Sequence, residues 1–251
     1  MKNAKLLFLL LLPLLLIGCI NYSEETWIHS DGSGKIAMEI STSEQFAALM
    51  AGQSGSDPFS PKELAQPFKG VKGIQLKNVK TFHKNGNIIA AVNFEFSSLD
   101  AFNRIKNGSS SPGFLGQISL SKDKKGRFIF TRTIDKMELS QGKEKGEADS
   151  NDNLAGNMSA ALLSGYTWKY TVHFPAKVLN ANTANDNING QTNTVTWDLP
   201  LSDIVKSPQT MTATFEAPLP WLTILLIAAG FLIIIAVVFI VLKFVKKPVS
   251  I

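Results

Sequence analysis

Residues 221–242 form an unbroken run of 22 residues with no charged side chain, and no other feature of the chain narrows its fold as much. As a helix such a run is about 33 Å long, enough to cross a hydrocarbon core of roughly 30 Å with modest tilt. A helix packed on the surface of a soluble domain keeps a polar face, and this run offers none. Both flanks agree with a span. Pro218, Pro220 and Trp221 stand on one side, where an indole suits the headgroup layer, and Lys243, Lys246 and Lys247 stand on the other, as cytoplasmic flanks do. The expectation is a transmembrane helix over 218–243 with a short basic cytoplasmic tail, 244–251.

The other end carries a second apolar run of 12 residues, 6–17, behind Lys2 and Lys5. Twelve helical residues reach about 18 Å, too short to span, and a charged start, a short apolar stretch and small residues make an export signal over 1–18. The stretch ends Leu16-Ile17-Gly18-Cys19, which resembles the lipobox of bacterial lipoproteins. That resemblance implies a diacylglyceryl thioether with palmitate-type chains on Cys19, which becomes the new first residue. Cys19 is the only cysteine, so it has no disulfide or thiolate-metal partner within the chain. An uncleaved anchor with an incidental cysteine is the alternative.

The net charge of +5 raises nucleic acid as a partner until the charges are located. Five of the 25 Lys and Arg lie in the two flanks, and the other 20 balance 20 acids in the middle. The central region is formally neutral, and nucleic-acid binding loses its support. With 45% hydrophobic residues overall, disorder is excluded as the main state. Residues 19–217 are expected as one extracytoplasmic domain facing outward.

Within it, period-two patterning and polar turn clusters predict antiparallel hairpins. One covers 27–40, turning at Asp31-Gly32-Ser33-Gly34. Another covers 73–96, turning at Asn85-Gly86, and a third covers 114–135, turning at Asp123-Lys124-Lys125-Gly126. Ser41 and Glu44 have capping-box spacing before a short helix stopped by Gly52, and 51–61 reads as a loop. Leu99, Phe102 and Ile105 have helical spacing. Residues 139–153 read as a polar linker or long loop, 154–163 as a helix weakened by Gly156, and 180–193 as an Asn-rich loop. Tyr166, Trp168, Tyr170, Val172 and Phe174 alternate cleanly, followed by Val195, Trp197 and Leu199 and then Met211, Ala213 and Phe215. The fold class is α+β, antiparallel hairpins with short helices, plus one C-terminal transmembrane helix.

Catalytic patterns are lacking. His29, His83 and His173 have no metal-site spacing. Gly52-Gln53-Ser54-Gly55-Ser56 lacks the last glycine of a nucleophile elbow, and no phosphate loop or dinucleotide fingerprint occurs. Asp198 with Asp203, or Glu95 with Asp100, could meet as a carboxylate pair, but spacing alone does not bring them together. Tyr166, Trp168, Tyr170 and Trp197 either line a groove for an acyl chain or sugar or form an ordinary sheet core. Lys122, Lys124, Lys125 and Arg127 either touch lipid phosphates or are a solvated turn.

The segment Tyr166-Thr-Trp168-Lys-Tyr170-Thr-Val172-His-Phe174-Pro175, with Val178, Asn180, Ala181 and Asn182, the strand 194–199 and Met211-Thr-Ala213, resembles the LppM-type domain of actinobacterial and related lipoproteins. The likeness extends to the lipobox, the Asp-Gly-Ser-Gly hairpin and the C-terminal span. It implies an envelope lipoprotein with an α+β ectodomain, for which interaction with lipids or glycolipids is a suggestion about some relatives, and it brings no catalytic residues. The expectation is a non-catalytic protein of the bacterial cell membrane, lipid-anchored and single-pass, domain outside and C-terminus cytoplasmic. It needs no cofactor or metal and binds a lipid, a glycolipid or another envelope component. The alternatives are an accessory subunit of a membrane protein complex and, behind it, an envelope hydrolase.

Overall fold

The computed structural model describes residues 21–54, 57–105, 115–135, 166–217, 229–235 and 237–238. Cys19, the linker 139–153, the expected helix 154–163, Trp221, Lys243, Lys246 and Lys247 lie outside them. The chain divides into a unit ending at Glu216 and a second unit, Ala217–Ile251.

The first unit begins with β1 (Asn21–Ile28), which turns back at once into β2 (Gly34–Ser43). β1 starts six residues before the expected hairpin because its inner face, Tyr22, Glu24, Thr26 and Ile28, includes two polar residues that disguise the alternation. β2 runs straight into α1 (Glu44–Ser54). The cap is Ser43, whose Oγ accepts from Phe46 N at 3.2 Å, not Ser41, which is still paired within β2. α2 (Pro61–Ala65), which was not anticipated, starts at the end of the expected loop, where Ser60 caps it and Pro61 suits its first turn. A 3-10 turn, Gln66–Phe68, follows.

β3 (Ile74–Lys84) and β4 (Asn87–Phe96) make the predicted hairpin, with Asn85 at φ 53° and Gly86 at φ 74°, the left-handed pair of a type I′ turn. Ser98 caps α3 (Leu99–Asn103). The Asn103 side chain then joins α3 to β5 (Gln117–Lys122), donating to Ile118 O at 2.8 Å and accepting from Ile118 N at 2.9 Å. β6 (Phe128–Ile134) returns along β5. β7 (Thr167–His173) leads to β8 (Val178–Ala181) and a two-residue β9 (Ile188–Asn189). Both fall at or inside the expected Asn-rich loop. Then come β10 (Thr194–Pro200), α4 (Leu201–Lys206), which was not anticipated, and β11 (Gln209–Phe215).

The strands form two sheets, a seven-stranded one ordered β3-β4-β2-β1-β7-β10-β9 and a four-stranded one ordered β5-β6-β11-β8. The expectation of antiparallel hairpins holds except at one seam. β1 and β7 run parallel, with Glu24 opposite Tyr170. Two hairpin systems distant in sequence are joined there, so no tight turn dictates their direction. The core has two lobes. β1, β7 and β10 face the smaller sheet, where Phe130 meets Phe174 edge-on at 5.4 Å and Phe174 meets Phe215 at 4.9 Å. β3 and β4 are covered by the helical side, with Phe68 on Phe94 at 4.7 Å and Phe102 on Phe96 at 5.8 Å.

In the second unit, 229–235 and 237–238 are helical, with exposed apolar side chains from Phe231 to Ile235. No helix among the described residues is long and apolar enough to cross a membrane.

Candidate functional site

Strand alternation turns Tyr166, Trp168, Tyr170 and Trp197 inward, and they are 8, 0, 0 and 3% exposed. Trp168 lies 5.6 Å from Tyr22 and 5.5 Å from Tyr170, and Tyr170 stacks on Trp197 at 5.7 Å. Of the two readings of this row, groove or sheet core, the structure shows the packed core. The rings fill one another's space, as a strictly alternating row does when a second sheet covers it.

At the centre of that core lies an ion pair that sequence reasoning missed. Arg132 of β6 and Glu24 of β1 are both fully buried, and the guanidinium grips the carboxylate with two nitrogens, Nη1 to Oε1 at 2.5 Å and Nη2 to Oε2 at 3.0 Å. Nη2 also donates to Leu115 O at 2.9 Å. The Tyr22 hydroxyl donates to Glu24 Oε2 at 2.9 Å, and the Thr26 hydroxyl to Oε1 at 3.3 Å. The guanidinium carbon sits 4.3 Å from the Tyr170 ring centroid and 5.0 Å from that of Trp168. A buried carboxylate needs such partners to stay ionised. Burial pushes the Tyr22 phenol well above its usual 10, reinforced by the Glu24 charge, and burial likewise raises Tyr170. Burial opposes the charge of Arg132, but Glu24 more than compensates and raises its pKa. The cluster ties the two sheets together and presents no open position to a reactant.

The outer face of the large sheet carries the other expected candidates. His173 Nε2 lies 2.6 Å from Glu25 Oε1, and its ring stacks on Trp27 at 4.8 Å. Lys35 covers that indole from 4.1 Å. Both faces of Trp27 are thus occupied by the protein's own side chains. His83 pairs with Glu44 at 2.9 Å, and His29 bonds Ser33, so the three histidines are dispersed. No group of three or more His, Cys, Asp or Glu is placed to hold a metal ion among the described residues.

The candidate acids have separate surroundings. Glu95 pairs with Lys77 at 2.9 Å, and Asp203 meets Lys206 at 4.0 Å. Asp198 stands opposite Lys169 in the ladder, and Asp100 lies in the first turn of α3. In the basic turn, Asp123 binds Arg127 at 2.6 Å, and Lys122 lies over Phe128. Desolvation works against ionisation of Asp123, yet hydrogen bonds from Arg127 outweigh it and leave its pKa lowered.

Open concavities lie elsewhere. One of about 450 Å³, lined by His29, Ser33, Lys35, Gln75 and Glu95 among others, sits where the β1–β2 turn meets β3 and β4. Another, of about 570 Å³, is lined by Lys69, Lys72 and Arg104 beside the 3-10 turn.

No protein-family model matches the chain, and no curated protein matches it. Among solved structures, it is similar to the folded domain of LppM from Mycobacterium tuberculosis, determined by NMR, with a TM-score of 0.45 and 15% sequence identity, over 81% of this chain and 93% of that one.

Proposed function

We propose that this chain is a non-catalytic lipoprotein of the bacterial cell envelope, fixed to the membrane by acylated Cys19 and by a helix over 218–243, with its α+β domain outside and its C-terminus cytoplasmic. In this reading the domain binds a lipid, a glycolipid or another envelope component. The observation that carries it is the single cysteine of the chain, placed directly after Leu16-Ile17-Gly18 at the end of a short apolar run with a basic start. The 22-residue run and its Trp221 and lysine flanks support the second anchor. Because the row Tyr166, Trp168 and Tyr170 is packed core, the reading looks for the ligand at the open concavities of the surface instead.

Native mass spectrometry of the full chain, extracted from its host membrane in detergent, tests both halves. The expected covalent mass lacks residues 1–18 and carries a diacylglyceryl group on Cys19. A stoichiometric non-covalent lipid or glycolipid is expected in addition. An uncleaved, unacylated chain overturns the lipoprotein reading, and an acylated but empty one overturns the carrier reading.

A further inference from the structure

The concavity beside the 3-10 turn differs from the one at the β1–β2 turn, which holds both Lys35 and Glu95, in carrying charge of one sign. Lys69 and Lys72, from the segment joining that turn to β3, and Arg104, from the end of α3, share one hollow of about 570 Å³, and no carboxylate among the described residues lines it. Some exposed cations elsewhere stand beside acids, as Lys77 does with Glu95 and Arg127 with Asp123, and others lie over rings, as Lys35 does on Trp27 and Lys122 on Phe128. Lys69, Lys72 and Arg104 form no ion pair among the described residues. A hollow lined by one sign of charge focuses its field on the space inside.

The hollow is also built. Arg104 Nη2 donates to Lys72 O at 3.0 Å, which sets the guanidinium against the loop and leaves most of its five donors uncommitted. The loop is held in turn by Ile74 N on Val71 O at 3.2 Å and Ser97 N on Gly73 O at 2.8 Å. Two point charges and one planar fork, brought together from two elements, match the demands of a phosphate group, which accepts bidentate pairing from arginine and unoriented charge from lysine.

We propose that this groove binds a phosphate-bearing ligand, with Lys69 and Lys72 neutralising the group and Arg104 orienting it. The phosphate belongs either to a phospholipid headgroup or to a soluble phosphorylated compound. The proposal deepens the ligand half of the function proposed above and rests on it for the lipid source alone.

The full chain in maltoside micelles is titrated calorimetrically at low salt with inorganic phosphate, and separately with a short-chain phosphatidylglycerol. Saturable one-to-one binding of at least one probe is expected. The affinity should fall about tenfold or more in Lys69→Gln/Lys72→Gln and in Arg104→Gln, and Arg104→Lys should fall between, having charge without the fork. Lys124→Gln/Lys125→Gln, which removes equal charge elsewhere, should bind as the parent does. Binding of inorganic phosphate assigns the site to the phosphate group itself, and binding of phosphatidylglycerol alone assigns it to a headgroup. No binding of either probe, undiminished binding by the substituted groove, or an equal loss in the control variant overturns the proposal. Acylation of Cys19 is read independently by mass, so failure of the groove leaves the lipoprotein reading standing, and an unacylated chain that binds phosphate leaves the groove standing.

Discussion

The Glu24–Arg132 pair concentrates the largest electrostatic stakes of the domain in two residues. Withdrawing two charges from water is costly, and the bidentate geometry with Tyr22, Thr26 and the Leu115 carbonyl offsets that cost only while every partner is present. Arg132→Met is expected to destabilise the domain by about 3–5 kcal/mol, with Glu24→Gln in the same direction, since each strands the other partner. The double replacement Glu24→Met/Arg132→Met should recover much of the loss, because no uncompensated charge remains. Denaturant unfolding followed by tryptophan emission measures all three, and additive losses would show that the pair is not coupled. The flanking phenols set an alkaline limit. Their folded pKa values are raised, so the folded state holds protons that the unfolded chain releases, and stability falls as pH rises above about 10. Phenolate absorbance should show Tyr22 and Tyr170 ionising only with unfolding, and Tyr22→Phe should flatten the alkaline slope. Arg132 had a signal in the sequence, because it shares the inward period of Phe130 and Ile134 in β6. Its partner had none. Glu24 sits in a run that reads as a polar lead-in, 108 positions away, and nothing local links the two.

Elements whose geometry is set by their own turn chemistry were legible, and those set by distant packing were not. Asn85-Gly86 announced the β3–β4 hairpin because both residues must adopt positive φ. Likewise Asp123 and Gly126 announced the β5–β6 turn, where Asp123 Oδ1 accepts from Lys125 N at 2.8 Å and Arg127 N at 2.9 Å. The short helices α2 and α4 were lost inside polar or unpatterned stretches, although Ser60, Pro61 and Glu63 formed a local start signal. The parallel seam of β1 and β7 has no local signature at all. Two glycines separate the kinds of constraint at this scale. At Gly86 a Cβ would meet nothing within 4 Å, so Gly86→Ala pays only for left-handed backbone, about 1–2 kcal/mol. At Gly34 a Cβ would fall 2.4 Å from Phe96 Cζ and closer still to the Trp27 carbonyl, forcing β2 away from both neighbours. Gly34→Ala should therefore lower the unfolding midpoint clearly more than Gly86→Ala, a ranking that thermal unfolding monitored by circular dichroism reads directly.

At the scale of the whole chain, the two proposed anchors make different physical claims. A diacylglyceryl group carries two acyl chains, which is the number needed for stable attachment, and a 22-residue apolar helix is held more firmly still. Either should therefore suffice alone. Replacing residues 1–19 with a conventional cleavable export signal should leave the protein in the membrane fraction, and so should ending the chain after Ala217 with Cys19 intact. Only the combination should appear in the soluble extracytoplasmic fraction. Fractionation followed by an alkaline carbonate wash distinguishes the cases, since the wash strips surface-bound protein and leaves lipid-embedded protein behind. If the doubly altered chain still sediments but leaves with high salt, attachment passes to the charged surface of the domain, where Lys69, Lys72 and Arg104 are the first residues to neutralise. If it resists the wash, the two-anchor reading fails at its root. The two anchors are proposed from length and apolarity, which are local properties of the sequence. The basic groove had no such local signal, because Arg104 joins Lys69 and Lys72 only after α3 folds back beside the loop that carries them.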